Sequence, residues 1–435
     1  MKVIRNCNVI PMTEEKVLEG YDVWFDRDAI RYVVKNGSLN IPAEEEYNGT
    51  GKYLIPGLYD CHIHVSNPED FKWYLAYGVT RVTCMMGNAK ILDWREELAS
   101  GKRIGPKMKT SSPIIDGTAK YLQPVMDYGR TKEHLPLEEE YADILAIDGI
   151  IEAKDEETAR RAVRYSKKAG YDFIKLYNNL KREVYYAACD EAKKQGLMVA
   201  GHMMDCLNDD NCDNVIRPFR FEQKTIEHIS GISETIRDEA LRDGVAIGTT
   251  FAVEKVILGG YRDTEEYQEK YLSKVTEAEQ KEWRACGMRR QAVYKQEPNR
   301  KPVKRRGMEY YQMIARTFRD AGGQLLIGTD SGIDGLLPGV DMHIELEMVK
   351  DCGFTNYEVL HMATVEAANF YWKGEATGTI EEGAPSELVL LDANPLEEIA
   401  NTWKINAVIL EGRIFAGQER EELLQNRRFL IYKDE

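Results

Sequence analysis

Residues 172–203 read "DFIKLYNNLKREVYYAACDEAKKQGLMVAGHM". The two ends, 172–177 and 197–203, are apolar runs of strand length. The middle, 182–196, spaces its apolar and small residues as a helix does and ends on Gly196, the residue type that most readily takes the left-handed turn after a helix. Strand, helix and strand joined by short turns predict two parallel neighbours in one sheet. Just upstream, "DEETARRAVRYSKKAG" (155–170) is a second helical pattern closed by a glycine. Working outward gives apolar strand candidates at 58–65, 79–85, 107–115, 149–153, 172–177, 197–203, 225–229, 245–251 and 324–330. Nine candidates over about 300 residues fit a (β/α)8 barrel better than an open sheet, with either 107–115 or 149–153 irregular or shared.

The chain ends read differently. Residues 1–56 alternate strand-like runs with turns such as Asn36-Gly37, and after about residue 375 helical patterns give way to strands again. The expected organisation is α/β: a barrel at 57–374, bracketed by a small β-domain made from 1–56 and 375–435. A charged, helix-prone insert occupies 254–320. Within 281–306 it carries ten lysines and arginines against two glutamates, which reads either as a solvated helical face or as a lid meeting an anionic group.

The 435 residues carry a formal net charge of −15, which argues against nucleic acid or an anionic membrane surface as partner. No run approaches the roughly 20 apolar residues of a membrane span, and the N-terminus lacks a signal-like apolar core. The eight cysteines show no C-x-x-C pair, so reduced thiols in a cytoplasmic protein are expected. A small-molecule substrate and a homo-oligomer are the partners left open.

Polar residues recur where the apolar strands end. Side chains at i and i+2 share a strand face, so His62 and His64 project together, with Cys61 and Ile63 on the other side. His202 ends 197–203, His228 ends 225–229, Asp330 ends 324–330, and Lys175 lies within 172–177. Four of only seven histidines fall at such ends, and in a parallel barrel those ends converge on one mouth. Imidazoles with one carboxylate suit Zn²⁺, with Mn²⁺, Fe²⁺ or Co²⁺ as alternatives. A lysine buried among metal ions should lose its proton. The neutral amine can add CO₂ to give a carbamate that bridges two ions; pairing with a nearby carboxylate is the plain alternative.

These residues, set in "PGLYDCHIH" (56–64) and "GTDSG" (328–332), resemble the metal-dependent amidohydrolase superfamily. "AYGVTRVTCMMG" (76–87), "GYDFIKLYNNL" (170–180), "PGVDMHIELEMVKDCGFTNYEVLHMATVEAANF" (338–370) and "GTIEEGAPSELVLLDANPLEEI" (378–399) narrow the resemblance to its prolidase-like and imidazolonepropionase-like branch. The resemblance implies a distorted (β/α)8 TIM barrel with a small β-sandwich from both termini, and a hydrolase with one or two divalent ions. By position it implies His62, His64 and Asp330 as ligands of the more buried ion, His202 and His228 as ligands of the second, and carboxylated Lys175 as the bridge. Such relatives usually carry an arginine after the strand that here reads "GVTRV"; in this chain that position is Thr83, followed by Cys84, which bears on substrate identity.

The expected reaction is cleavage of an amide C–N bond, in a dipeptide or N-acyl amino acid, by a hydroxide bridging two ions. Asp330 would shuttle the proton, and Tyr177, two residues beyond Lys175, would donate to the carbonyl oxygen or else pack at the rim. His343 is a further candidate for contact with substrate; His361 reads as core and His134 as loop. The alternative is a mononuclear enzyme opening a cyclic amide or deaminating an amidine.

Overall fold

The computed structural model describes residues 1–117, 145–147, 149–204, 220–258, 306–332 and 335–425, with positions 275, 277 and 281 between them. The basic stretch 282–305 and His134 lie outside the described residues.

Five strands open the chain: β1 (Lys2–Val9), β2 (Leu18–Phe25), β3 (Ile30–Lys35), β4 (Glu45–Asn48) and β5 (Tyr53–Pro56). The next ten strands are β6 (Leu58–Ile63), β7 (Val79–Cys84), β8 (Lys107–Asp116), β9 (Leu145–Ile147), β10 (Ile150–Glu152), β11 (Phe173–Leu176), β12 (Met198–His202), β13 (Thr225–Glu227), β14 (Ala246–Gly248) and β15 (Leu325–Leu326). Last come β16 (Leu388–Leu391), β17 (Ile405–Leu410) and β18 (Arg413–Ala416).

Neighbours β6-β7-β8-β11-β12-β13-β14-β15 pair in parallel all the way round. The ring closes where Cys61 N–H donates to the Ile327 carbonyl (2.9 Å) and Asp330 N–H to the His62 carbonyl (2.8 Å). This is the expected distorted (β/α)8 barrel. The ninth candidate is explained by β10, which pairs only with the far end of β8, at Ile114–Asp116, and with β9. β8 is ten residues long, so its first half can serve β7 and its second half β10, while its other edge serves β11.

Helices follow the glycine punctuation. Glu156–Ala169 starts on Asp155, whose side chain accepts from Thr158 N–H, and stops at Gly170 (φ 87). Arg182–Gln195 stops at Gly196 (φ 67). The 245–251 candidate is shorter than expected: its pairing ends at Gly248, and Phe251 already begins a helix to Leu258. A short helix, Gly417–Leu423, also follows the last strand, where only strands were expected; it buries Leu423, and Arg420 donates to the Ala76 carbonyl on the barrel.

Strands from both termini form the second sheet, in which β16 pairs β5 antiparallel. Its core joins Ile4, Val9, Val23 and Phe25 from one end of the chain to Leu388, Leu390 and Ile409 from the other. Inside the barrel, Tyr59, Cys61, Phe173, Ala200, Ala246 and Leu326 pack against Tyr371 and Trp372, closing the floor below the strand ends. No helix among the described residues is long and apolar enough to cross a membrane.

Candidate metal centre

The floor residues fix which side chains point inward. Phe173 lies inside the barrel, so Lys175 does too; Ala200 brings in His202 by the same alternation. β6 departs from it. A bulge between Asp60 and Ile63 leaves Cys61 in the interior cluster with Tyr59, while Ile63 packs in the outer core. His62 and His64 still meet, with ring centroids 5.4 Å apart, but Cys61 does not share the face of Ile63 as even pleating requires.

β13 departs in another way. Glu227 and His228 are consecutive, yet both face the cluster, because His228 has φ 71. Asp330 (φ 59) and Thr250 (φ 45) are also left-handed without being glycine. Three of the six such residues among those described thus sit at this mouth. Each costs of order 1–3 kcal/mol, strain that persists only where the surroundings over-determine it.

The resulting cluster is tight. His64 Nε2 lies 3.0 Å and His62 Nε2 3.3 Å from Asp330 Oδ1. The rings of His62 and His228 are 4.8 Å apart and those of His202 and His228 4.5 Å. His202 Nε2 and His228 Nε2 face each other at 3.1 Å. Tyr177 stacks on His202 with centroids 3.9 Å apart. His62 is 1% exposed, whereas the side chains of His64 (18%) and His228 (14%) reach solvent, so the cluster is deep at one end and open at the other.

Burial pushes the Lys175 amine below its ordinary value, against the pull of Glu227 and Asp330. It also lowers His64, takes His202 well down and brings His228 to about 3, keeping those imidazoles neutral. For His62, burial and Lys175 push downward, but the Asp330 and Glu227 carboxylates reverse the sign. Burial opposes ionisation of Asp330 and Glu227, yet His62, His64 and His228 hold Asp330 well below the usual range, and His62, Lys175 and Thr225 hold Glu227 at about 2.

Do these residues fit a metal ion? Among the described residues, Lys175 Nζ, His62 Nε2 and Asp330 Oδ1 are buried with no well-formed hydrogen bond, a costly state that ligation would relieve. Ligand atoms of His62, His64 and Asp330 lie within 4.8 Å of one another. The donors are imidazoles, of which burial holds His64, His202 and His228 neutral, and an ionised carboxylate, as a divalent cation needs. The residues fit.

Sequence reading missed what holds them. Glu227 Oε2 is 2.8 Å from His62 Nδ1 and its Oε1 accepts from Thr225 Oγ1 (2.6 Å), so His62 donates at Nδ1 and keeps Nε2 for the cluster. Asp60 accepts from Thr329 Oγ1 (2.7 Å), Thr329 N–H and His62 N–H, tying the first ligand strand to the Asp330 turn. Tyr74 OH lies 2.6 Å from Ser331 Oγ on that turn. No sequence signal marked Glu227: regular alternation offers only one of Glu227 and His228 to the interior, and His228 was the candidate. His343 is not brought to the cluster: it is fully buried, Nε2 donates to the Tyr77 carbonyl (3.0 Å), Nδ1 meets Thr402 Oγ1 (3.0 Å), and Trp403 stacks on it. His361, expected in the core, is partly exposed beside Glu366.

The family model described as "Amidohydrolase family" matches residues 53–415. A stretch of 69 residues, 15% of the chain, is 33% identical to an adenine deaminase of Leuconostoc citreum (strain KM20) and spans 12% of that protein. Among solved structures, a Xaa-Pro dipeptidase with methionine bound in its active site superposes with TM-score 0.72 at 17% identity, over 96% of this chain and 100% of that one. The ochratoxinase of A. niger superposes with TM-score 0.68 at 18% identity, over 96% and 95%. At these identities the likeness shows the fold alone.

Proposed function

The chain belongs to the amidohydrolase family, and on that premise we propose that it is a metal-dependent hydrolase cleaving the amide bond of a dipeptide or N-acyl amino acid. His62, His64 and Asp330 would hold one divalent ion, and His202 and His228 a second, with zinc as the first choice. Bound ions supply Lewis acidity at the scissile carbonyl and acidify water beside it. The observation that carries the two-ion reading is the buried amine of Lys175, which has no hydrogen-bond partner among the described residues. Burial favours its neutral form, so the nitrogen lone pair can add to CO₂ with loss of one proton. The resulting carbamate would give the centre a second carboxylate-like group beside Asp330.

Asp330 would take a proton on its carboxylate from the attacking water and deliver it to the leaving amine nitrogen. Tyr177, stacked on His202 at the rim, would donate its hydroxyl proton to the carbonyl oxygen as charge develops there. Cytoplasmic location, a small-molecule substrate and homo-oligomeric assembly belong to the same proposal.

A second reading, a mononuclear deaminase, is favoured by one observation: among the described residues, only His62, His64 and Asp330 form a group whose ligand atoms all converge. The short similarity to adenine deaminase points the same way. Elemental analysis combined with a substrate panel separates the two. Two ions per chain with turnover of dipeptides or N-acyl amino acids supports the first reading. One ion, with ammonia released from adenine-type substrates and no peptide turnover, overturns it.

A further inference from the structure

Glu345 lies on the helix Val340–Lys350, fully buried, and touches none of the candidate ligands. Its carboxylate instead collects the turn that follows β14. Oε1 accepts from Thr249 Oγ1 (2.5 Å) and Phe251 N–H (2.9 Å), and Oε2 accepts from Ala252 N–H (2.7 Å). Those two N–H groups belong to the first turn of the helix Phe251–Leu258 and have no partner within it. Thr250 is enclosed between the anchored residues. It is β-branched and sits at φ 45, a conformation such a residue adopts only when held. Its Oγ1 lies 3.0 Å from His228 Nδ1.

Resting on the reading of His202 and His228 as ligands, we propose that Glu345 is a positioning residue for the metal centre, acting on His228 through the strained Thr250. The carboxyl group clamps the residues on either side of Thr250, and this directs the threonine hydroxyl at the imidazole. With Nδ1–H donating to that hydroxyl, His228 presents its Nε2 lone pair toward His202, where the two nitrogens face each other. A merely structural Glu345 would support the 251–258 helix and leave the ligand field untouched.

The test is Co²⁺ titration of the full-length protein after removal of bound metal with a chelator, followed by visible absorption and by competition against a chelating dye. Glu345→Gln keeps the side chain's size but can set its single oxygen on only one of the two N–H groups. Thr250→Val keeps the shape and removes the hydroxyl. Each should weaken the more weakly held Co²⁺ about 10–100-fold and alter its absorption bands, leaving the tighter ion unchanged. The double variant should lose no more than about the larger single loss, because both act on one path. Wild-type-like Co²⁺ binding by Glu345→Gln overturns the proposal, and so do losses that multiply in the double variant. Wild-type protein that binds a single Co²⁺ sinks the two-ion reading, and this proposal with it. Failure of the positioning role alone is thereby told apart from failure of the metal centre.

Discussion

Both ring nitrogens of His62 are committed, Nδ1 to Glu227 and Nε2 to the cluster. The carboxylate thus fixes a tautomer that the histidine alone leaves open. Glu227→Gln is nearly isosteric but can present its amide nitrogen to Nδ1, which favours the wrong tautomer. Metal affinity should fall about 10–100-fold with little change in melting temperature of the metal-free protein, measured by chelator competition and by thermal scans. Unchanged affinity would mean that Glu227 serves only to pack the interior. Lys175→Ala tests the bridge. If the lysine is carboxylated, the variant should lose one of two ions and orders of magnitude in activity, and an added short carboxylic acid should restore part of both. Equal metal content and similar rates in wild type and variant would exclude the carbamate. At this scale the histidines and Asp330 were legible because each ends an apolar strand. Glu227 was not, because a regular strand turns only one of two consecutive residues inward, and the positive φ of His228 is a backbone fact that sequence does not display.

The same limit recurs in the elements. Gly170 and Gly196 announced their helix ends, and strand–helix alternation announced the barrel. The sequence could not choose between 107–115 and 149–153, because the answer depends on β8 being long enough to serve three partners. Nor could it place the end of the 245–251 run. That end depends on Glu345, nearly a hundred residues later, capturing the N–H groups of Phe251 and Ala252. The capture has a pH signature. Burial pushes the Glu345 carboxyl up to about 8 from an ordinary 4.5, against the hydrogen bonds from Thr249, Ala252 and Phe251 that pull it down. An acid raised by folding binds its proton more tightly in the native chain. Its contribution is therefore present in full below about 4.5 and is lost as pH rises toward about 8. Glu345→Gln removes that titration. Urea midpoints of the metal-free proteins at pH 5, 6.5 and 8 should shift progressively in favour of the variant as pH rises. A difference that is flat with pH, or runs the other way, would show that the group is ionised throughout.

At the scale of the whole molecule, a buried ion pair links the barrel and the terminal sheet at the barrel floor. Arg81 on β7 meets Glu387, which precedes β16, in a two-point fork: Nε to Oε2 at 2.6 Å and a terminal nitrogen to Oε1 at 2.7 Å. Both side chains are nearly inaccessible, at 2% and 3% exposed, and the guanidinium lies 4.4 Å from the Trp372 ring centroid. Desolvation opposes such a pair, and attraction within the fork offsets it, so the net gain over an apolar replacement is small or negative. Breaking it from one side is another matter. In Glu387→Leu the arginine keeps the Glu375 carbonyl and the rings of Trp372 and Tyr59 but no carboxylate fork, and an uncompensated buried charge costs about 3–5 kcal/mol. In Arg81→Met the carboxylate keeps Lys107 at 3.1 Å, which is partly exposed, so the loss should be smaller. The double variant removes both charges and should melt above the Glu387→Leu single variant, close to wild type. Thermal scans of the four proteins give that order directly. If Glu387→Leu melts like wild type, the terminal sheet is held to the barrel by its apolar contacts alone. If the double variant melts lowest, the pair contributes net stability and the desolvation argument is wrong. Because the pair lies below the floor formed by Tyr59, Phe173 and Trp372, on the opposite side from the histidines, the double variant should keep wild-type metal content.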